Sequence, residues 1–169
     1  MNNITNDKEY YQIVSDILNN KKFNKIKECK HHGITRYEHS LKVSYKAYKL
    51  AKKYNLDYIS TARGGLLHDF FINEDLTKKE QRISIFIHPY KSLNNSNKYF
   101  NLNDKEKNII ISHMFPSLPH KIPLSKESLL VSIVDKVIAT KEFYQSYGRI
   151  KVYKLSHIYM ILLTLITRR

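Results

Sequence analysis

Between Tyr37 and Tyr54, the residues Leu41, Tyr45, Tyr48 and Ala51 fall at steps of four, three and three, the spacing that lines up side chains on one face of an α-helix. The same period returns along most of the chain. Residues 8–26 carry Tyr11, Ile13, Ile17 and Leu18, with Asn19-Asn20 weakening the end of that helix, and residues 57–68 carry Ile59, Ala62 and Leu66 behind an acidic Asp57. The stretch 70–87 is polar from Glu74 to Arg82 and reads as a loop or a short helix. It leads to His88-Pro89, where proline suits the first turn of a helix reaching about Phe100. Asn103 or Asp104 caps a further helix containing Ile109, Ile110 and Ile111, which must end at or before Phe115 because Pro116 follows. Residues 115–123 hold three prolines and form a loop. Ser125 or Lys126 then opens a helix through Leu129, Ile133, Val137 and Thr140 toward Tyr144, and Gly148 breaks it. With only four glycines and four prolines in 169 residues, placed mostly at these joints, the expectation is an all-α fold.

A chain of this length buries about 70% of the surface it exposes when unfolded, so residues 1–169 are expected to form a single domain with a core of their own. The 42% hydrophobic and 26% charged content excludes a disordered chain, and the lone Cys29 excludes an internal disulfide. One cysteine, and a polar start from Met1 to Glu9 without signal-peptide features, fit a reducing cytoplasm. The last segment, residues 150–167, contains the apolar run 158–166. Its nine residues fall well short of the roughly 20 needed to span a bilayer, so the expectation is a C-terminal helix that is buried or serves homo-oligomerisation, ahead of a membrane-surface anchor flanked by Lys154 and Arg168-Arg169. The net charge of +14 comes from scattered lysines rather than blocks, a pattern that suits solvated helix faces and a phosphate-bearing small molecule better than nucleic acid.

The chemistry concentrates in histidines and aspartates at the ends of these helices. His39 lies near the start of the second helix and His68-Asp69 closes the third, where the last turn can open and let both side chains aim at one ion. Asp135 is a carboxylate on an otherwise apolar face, which calls for a cation or a strong hydrogen-bond partner. His88 and His113 stand at two further helix ends. In order, these residues read H…HD…H…H…D.

That order resembles the HD-domain superfamily of metal-dependent phosphohydrolases, in its six-ligand, two-metal branch. The segments Arg36-Tyr37-Glu38-His39-Ser40, Gly65-Leu66-Leu67-His68-Asp69-Phe70, His88-Pro89 and Ile133-Val134-Asp135-Lys136 are similar to those of small bacterial members such as the HD-type diadenosine-tetraphosphate hydrolases. The likeness covers about residues 33–143. It implies a helical bundle with the metal site among its central helices, and hydrolysis of a phosphoester or phosphoanhydride, with a nucleotide or dinucleotide as substrate.

Imidazoles and carboxylates suit Fe, Mn, Ni, Co or Zn rather than the oxygen shell of Mg or Ca. The resemblance implies two such ions, with His39, His68 and Asp135 on one, His88 and His113 on the other, and Asp69 between them. A pair of ions about 3.5–4 Å apart can share a hydroxide aimed at phosphorus, which Asp69 would help orient, with His68 beside it at the catalytic centre. No nucleophilic side chain is needed, and Gly64-Gly65 is no phosphate-cradling loop. Lys136 and Arg63 are the candidate substrate-binding cations, ahead of His32, Arg36, Arg82 and Lys121. Glu38 either pairs with Arg36 or supports His39. The same ligand order also serves di-iron oxygenases of the superfamily, and a third reading is a non-catalytic metal-binding module that uses the tail to bind a partner.

Overall fold

The computed structural model describes residues 6–31, 34–72, 74 and 76–147. Among these residues the chain forms eight α-helices: α1 Lys8–Leu18, α2 Lys21–Asn24, α3 Arg36–Lys53, α4 Tyr58–Leu67, α5 Lys78–Arg82, α6 Ser84–Tyr99, α7 Asp104–Ser112 and α8 Lys126–Tyr147. A 3-10 turn spans Lys25–Glu28. A minimal antiparallel pair, Lys30–His31 with Ile34–Thr35, precedes α3 and was not foreseen in an otherwise all-α chain. The expected C-terminal helix over residues 150–167 lies outside the described residues. Among the described residues, no helix is long and apolar enough to cross a membrane.

Caps account for most of the boundaries. The Asp7, Asn20, Thr35, Asp57, Thr77 and Asn103 side chains each accept from backbone N–H groups in the first turn of the helix that follows. Asn20 explains why the first helix stops at Leu18 rather than near residue 26. Its side chain takes the Lys22 and Phe23 amides at 2.9 and 3.1 Å and starts a new short helix. The helix carrying His88 differs in the other direction: it begins at Ser84, so Pro89 sits inside it and deprives the Ile85 carbonyl of its usual i+4 donor.

Helix α3 is central, packed against α4 and α8, while α7 fills the angle between α4 and α8 and α6 leans on α7. The α1 residues Tyr10, Val14 and Ile17 join Tyr48, Ala62, Leu66, Phe70 and Ile110 in one core, and Val43, Ala47, Ile109, Val131 and Val134 form a second between α3, α7 and α8. The Gly64-Gly65 pair is what lets α4 run so close to its neighbours. A Cβ at Gly65 would lie 3.2 Å from the Ser44 Cα in α3, and one at Gly64 would lie 2.9 Å from the Ile109 side chain in α7. These contacts set the spacing of the three helices whose ends carry His39, His68 and His113.

Candidate metal centre

Each candidate ligand is delivered by a helix terminus or a helix face. The Thr35 hydroxyl accepts from the Glu38 amide, and the Glu38 carboxylate accepts from the Thr35 amide at 2.9 Å, a reciprocal cap that fixes the first turn of α3 and the place of His39 one residue on. Glu38 is thus engaged in capping the helix that carries His39. His68 is the C-cap of α4 with Asp69 directly after it, His113 is the C-cap of α7, His88 lies in the second turn of α6 and Asp135 in the middle of α8. All six are at most 9% exposed.

The structure brings the six together. His39 Nε2 lies 2.9 Å from Asp135 Oδ1, and His68 Nε2 lies 3.6 Å from that same oxygen. Asp69 stands between two groups: its Oδ2 is 3.9 Å from His68 Nε2, and its Oδ1 is 3.5 Å from His88 Nε2 and 3.7 Å from His113 Nε2. Three overlapping triads, His39–His68–Asp69, His68–His113–Asp135 and Asp69–His88–His113, each have ligand atoms within 4.8 Å of one another.

The outer nitrogens explain why the inner ones converge. His68 Nδ1 donates to Gly65 O at 2.8 Å, His88 Nδ1 to Ser84 O at 2.9 Å and His113 Nδ1 to Ile110 O at 2.7 Å. A carbonyl only accepts, so each Nδ1 carries the proton and each Nε2 of a neutral ring turns a lone pair inward. His88 Nε2 and His113 Nε2 then oppose each other at 2.9 Å. His68 Nε2 is buried without a hydrogen-bond partner among the described residues. Lone pairs packed this way in a buried site repel unless a cation lies among them, so the donor set fits a divalent metal with nitrogen and oxygen preference.

At His88, His113 and Asp135 the electrostatics favour the metal-binding protonation states, whereas His39 holds a proton that a metal would have to displace. Burial, aided by His68 and His88, pushes the His113 pKa well below the usual imidazole range, and burial also lowers that of His88. Burial opposes ionisation of Asp135, but Lys136, His39 and His68 outweigh it and hold the carboxyl well below its ordinary value. For His39, burial again opposes charge, and the hydrogen bonds to Asp135 and Glu142 prevail, so its pKa is pushed up to about 10.

A cleft of about 430 Å³ opens beside the cluster and is lined by Asp69, His88, His113 and Asp135 together with Arg36, Phe71, Ser84, Ile85, Met114, Ser117, Lys136 and Ala139. Lys136 is among the residues that line it. Its ammonium donates to Asp135 Oδ2 at 2.9 Å and to His113 O at 2.6 Å, tying α8 to the end of α7, and its third hydrogen has no partner among the described residues.

Arg63 is not brought to the cleft. It donates to Glu106 at 2.9 Å, to Asp16 at 2.7 Å and to Ile13 O at 3.1 Å, joining α4 to α7 and α1. The guanidinium at the cleft belongs to Arg36, which lies 3.7 Å over the Phe71 ring and donates to Phe71 O at 2.8 Å. Among the weaker candidates, Lys121 stands over the Tyr90 ring, Arg82 ends the short α5, and the His32 expectation lies outside the described residues.

Sequence reasoning missed Glu142. It is 3% exposed and accepts from His39 Nδ1 at 2.7 Å, while its other oxygen accepts from Lys42 at 3.0 Å. The available signal was its position two helical turns beyond Asp135, on the same stripe of α8.

No curated protein and no solved structure shows a significant match to the chain. One family model does match: that described as HD domain aligns with residues 36–140, a span that contains all six clustered residues. Membership at this level carries metal-dependent phosphohydrolase-type chemistry as the general activity of the superfamily, some of whose members differ. With a match over more than half of its length, on a helical bundle that gathers histidines and aspartates into one buried cluster, the chain belongs to the HD domain family.

Proposed function

We propose that the chain hydrolyses a phosphoester or phosphoanhydride of a nucleotide or dinucleotide, as a member of the six-ligand branch. His39, His68 and Asp135 would hold one divalent transition-metal ion, His88 and His113 a second, and Asp69 would stand between them. The observation that carries this reading is the uniform orientation of the four imidazoles, each with its Nδ1 held by an acceptor and its Nε2 facing the two buried aspartates. Asp69 supports the two-position arrangement because its Oδ2 faces His68 while its Oδ1 faces His88 and His113.

When bound, the ions supply Lewis-acid polarisation of the phosphate and a water of lowered pKa. The chain's own residues do the rest. Asp69 would accept the proton of an attacking water. Lys136 holds Asp135 ionised and offers its remaining hydrogen to a phosphate oxygen in the cleft, and Arg36 supplies a second fixed cation on the wall that Phe71 shares. A volume near 430 Å³ is in the range of small-ligand sites, and the charge of +14 favours the arrival of a polyphosphate.

The test is a product-resolved screen of nucleoside phosphates, dinucleoside polyphosphates and simple phosphoesters with manganese- or iron-loaded protein, alongside His68→Ala and Asp69→Ala. Turnover abolished by both substitutions is the expected result. Metal uptake without hydrolysis of any of these compounds would remove the phosphohydrolase reading.

A further inference from the structure

The four histidines of the cluster are not equivalent. His68, His88 and His113 give their outer N–H to neutral backbone carbonyls, whereas His39 gives its own to a carboxylate, that of Glu142, at 2.7 Å. A buried carboxylate on the far side of an imidazole draws the Nδ1 proton and raises electron density at Nε2, which makes the ring a better metal donor. Burial strengthens this effect, because Glu142 is 3% exposed and little water screens it.

Lys42 moderates the same carboxylate. Its ammonium lies 3.0 Å from the other Glu142 oxygen and is 39% exposed, so part of the negative charge is drawn away from His39 toward solvent. Glu142 also lies just past residue 140, where the family match ends.

We propose that Glu142 is a positioning residue that makes the His39 end of the cluster the tighter metal position, so that this end fills before the His88–His113 end. The inference rests on the two-position reading above, and its test separates the two. The full chain is stripped with a chelator and titrated with cobalt(II), followed by visible absorption and calorimetry. Wild type is compared with Glu142→Gln and Lys42→Met, and with His39→Ala and His88→Ala to mark the two ends.

Wild type is expected to take up cobalt in two events of unequal affinity, the tighter lost in His39→Ala and kept in His88→Ala. Glu142→Gln keeps an acceptor for His39 but loses the charge, and should weaken the tighter event by about 10- to 100-fold while leaving the other in place. Lys42→Met leaves Glu142 more negative and should keep or tighten that event. This second variant answers even if Glu142→Gln folds poorly.

Loss of affinity in Lys42→Met equal to that in Glu142→Gln would make the pair a structural brace between α3 and α8 and overturn the inference. So would a Glu142→Gln titration that matches wild type while His39→Ala loses the tighter event, an outcome that leaves the metal reading standing. Two events of equal affinity in wild type would also overturn it, and no cobalt uptake at all would bring down both.

Discussion

His88 Nε2 stands 2.9 Å from His113 Nε2, and each ring has already committed its other nitrogen as a donor to a carbonyl of its own helix. Burial depresses both pKa values, so the two rings meet as neutral acceptors around neutral pH. An ion between them relieves that opposition. His88→Ala or His113→Ala is therefore expected to lower the metal content from near two ions per chain toward one, measured by elemental analysis of gently purified protein. An unchanged count would take both residues out of the ligand set.

Removing the metal should also be visible in the fold, because α3, α4, α6, α7 and α8 all lend residues to the one cluster. An ion present at a hundred times its dissociation constant adds about 2.7 kcal/mol to stability. For a chain of this size that corresponds to a fall in Tm on the order of 5–10 °C on chelation, read by calorimetry and restored by added metal.

Arg63 and Arg36 offer a contrast between structure and substrate. Arg63 partners the buried Glu106, whose pKa burial pushes up, so Arg63→Ala strands that carboxylate. A loss of about 3 kcal/mol in denaturant unfolding is expected, with KM for a phosphate substrate unchanged in the folded fraction. Arg36→Ala should do the reverse in kinetics and raise KM about tenfold or more. A KM effect from Arg63 and none from Arg36 would restore the assignment that sequence alone favoured.

The six residues could be picked out of the sequence because their types and order resemble the HD-domain pattern, and the structure gathers them into one cluster. His68-Asp69 was expected at the end of a helix and is found there, with His68 as the C-cap. What escaped depended on how helices lie against one another. Glu142 shares a stripe of α8 with Asp135, but only the packing of helices shows that it faces His39, 103 residues earlier, and that Arg63 turns toward Asp16 rather than toward the cleft. The Gly64-Gly65 pair lies inside α4, and its purpose shows only once Ser44 and Ile109 are seen against it. Pro89 misled because proline tolerates the first helical turn so well that a start four residues earlier, at Ser84, was the less natural reading.

The Gly65 contact predicts coupling between packing and metal affinity. Gly65→Ala places a methyl 3.2 Å from the Ser44 backbone, which can yield only if α3 and α4 move apart. Overpacking of this kind costs about 1–3 kcal/mol. Because α3 carries His39 and α4 ends at His68, metal affinity should fall along with stability. A variant that loses stability but binds cobalt as wild type would show that the cluster tolerates the shift.

Asp57 gives a pH dependence whose sign follows from its contacts. Burial raises its pKa, but the Ser60 amide and hydroxyl and the Lys105 ammonium outweigh that effect and hold it below the ordinary aspartate value. A carboxylate depressed in the folded state stabilises the fold above its unfolded pKa, and the contribution disappears as pH falls through the folded value. Asp57 is the N-cap of α4, accepting from the Ser60 amide at 2.9 Å, so this stability bears on the helix that delivers His68. Asp57→Ala is expected to cost about 1 kcal/mol at pH 7, and Asp57→Asn less, because an amide oxygen still caps. The gap between wild type and Asp57→Asn should be constant from pH 7 down to about 5 and close between about pH 4 and the folded pKa, as followed by urea unfolding. A gap that widens on acidification would mean that Asp57 is not ionised in the cap.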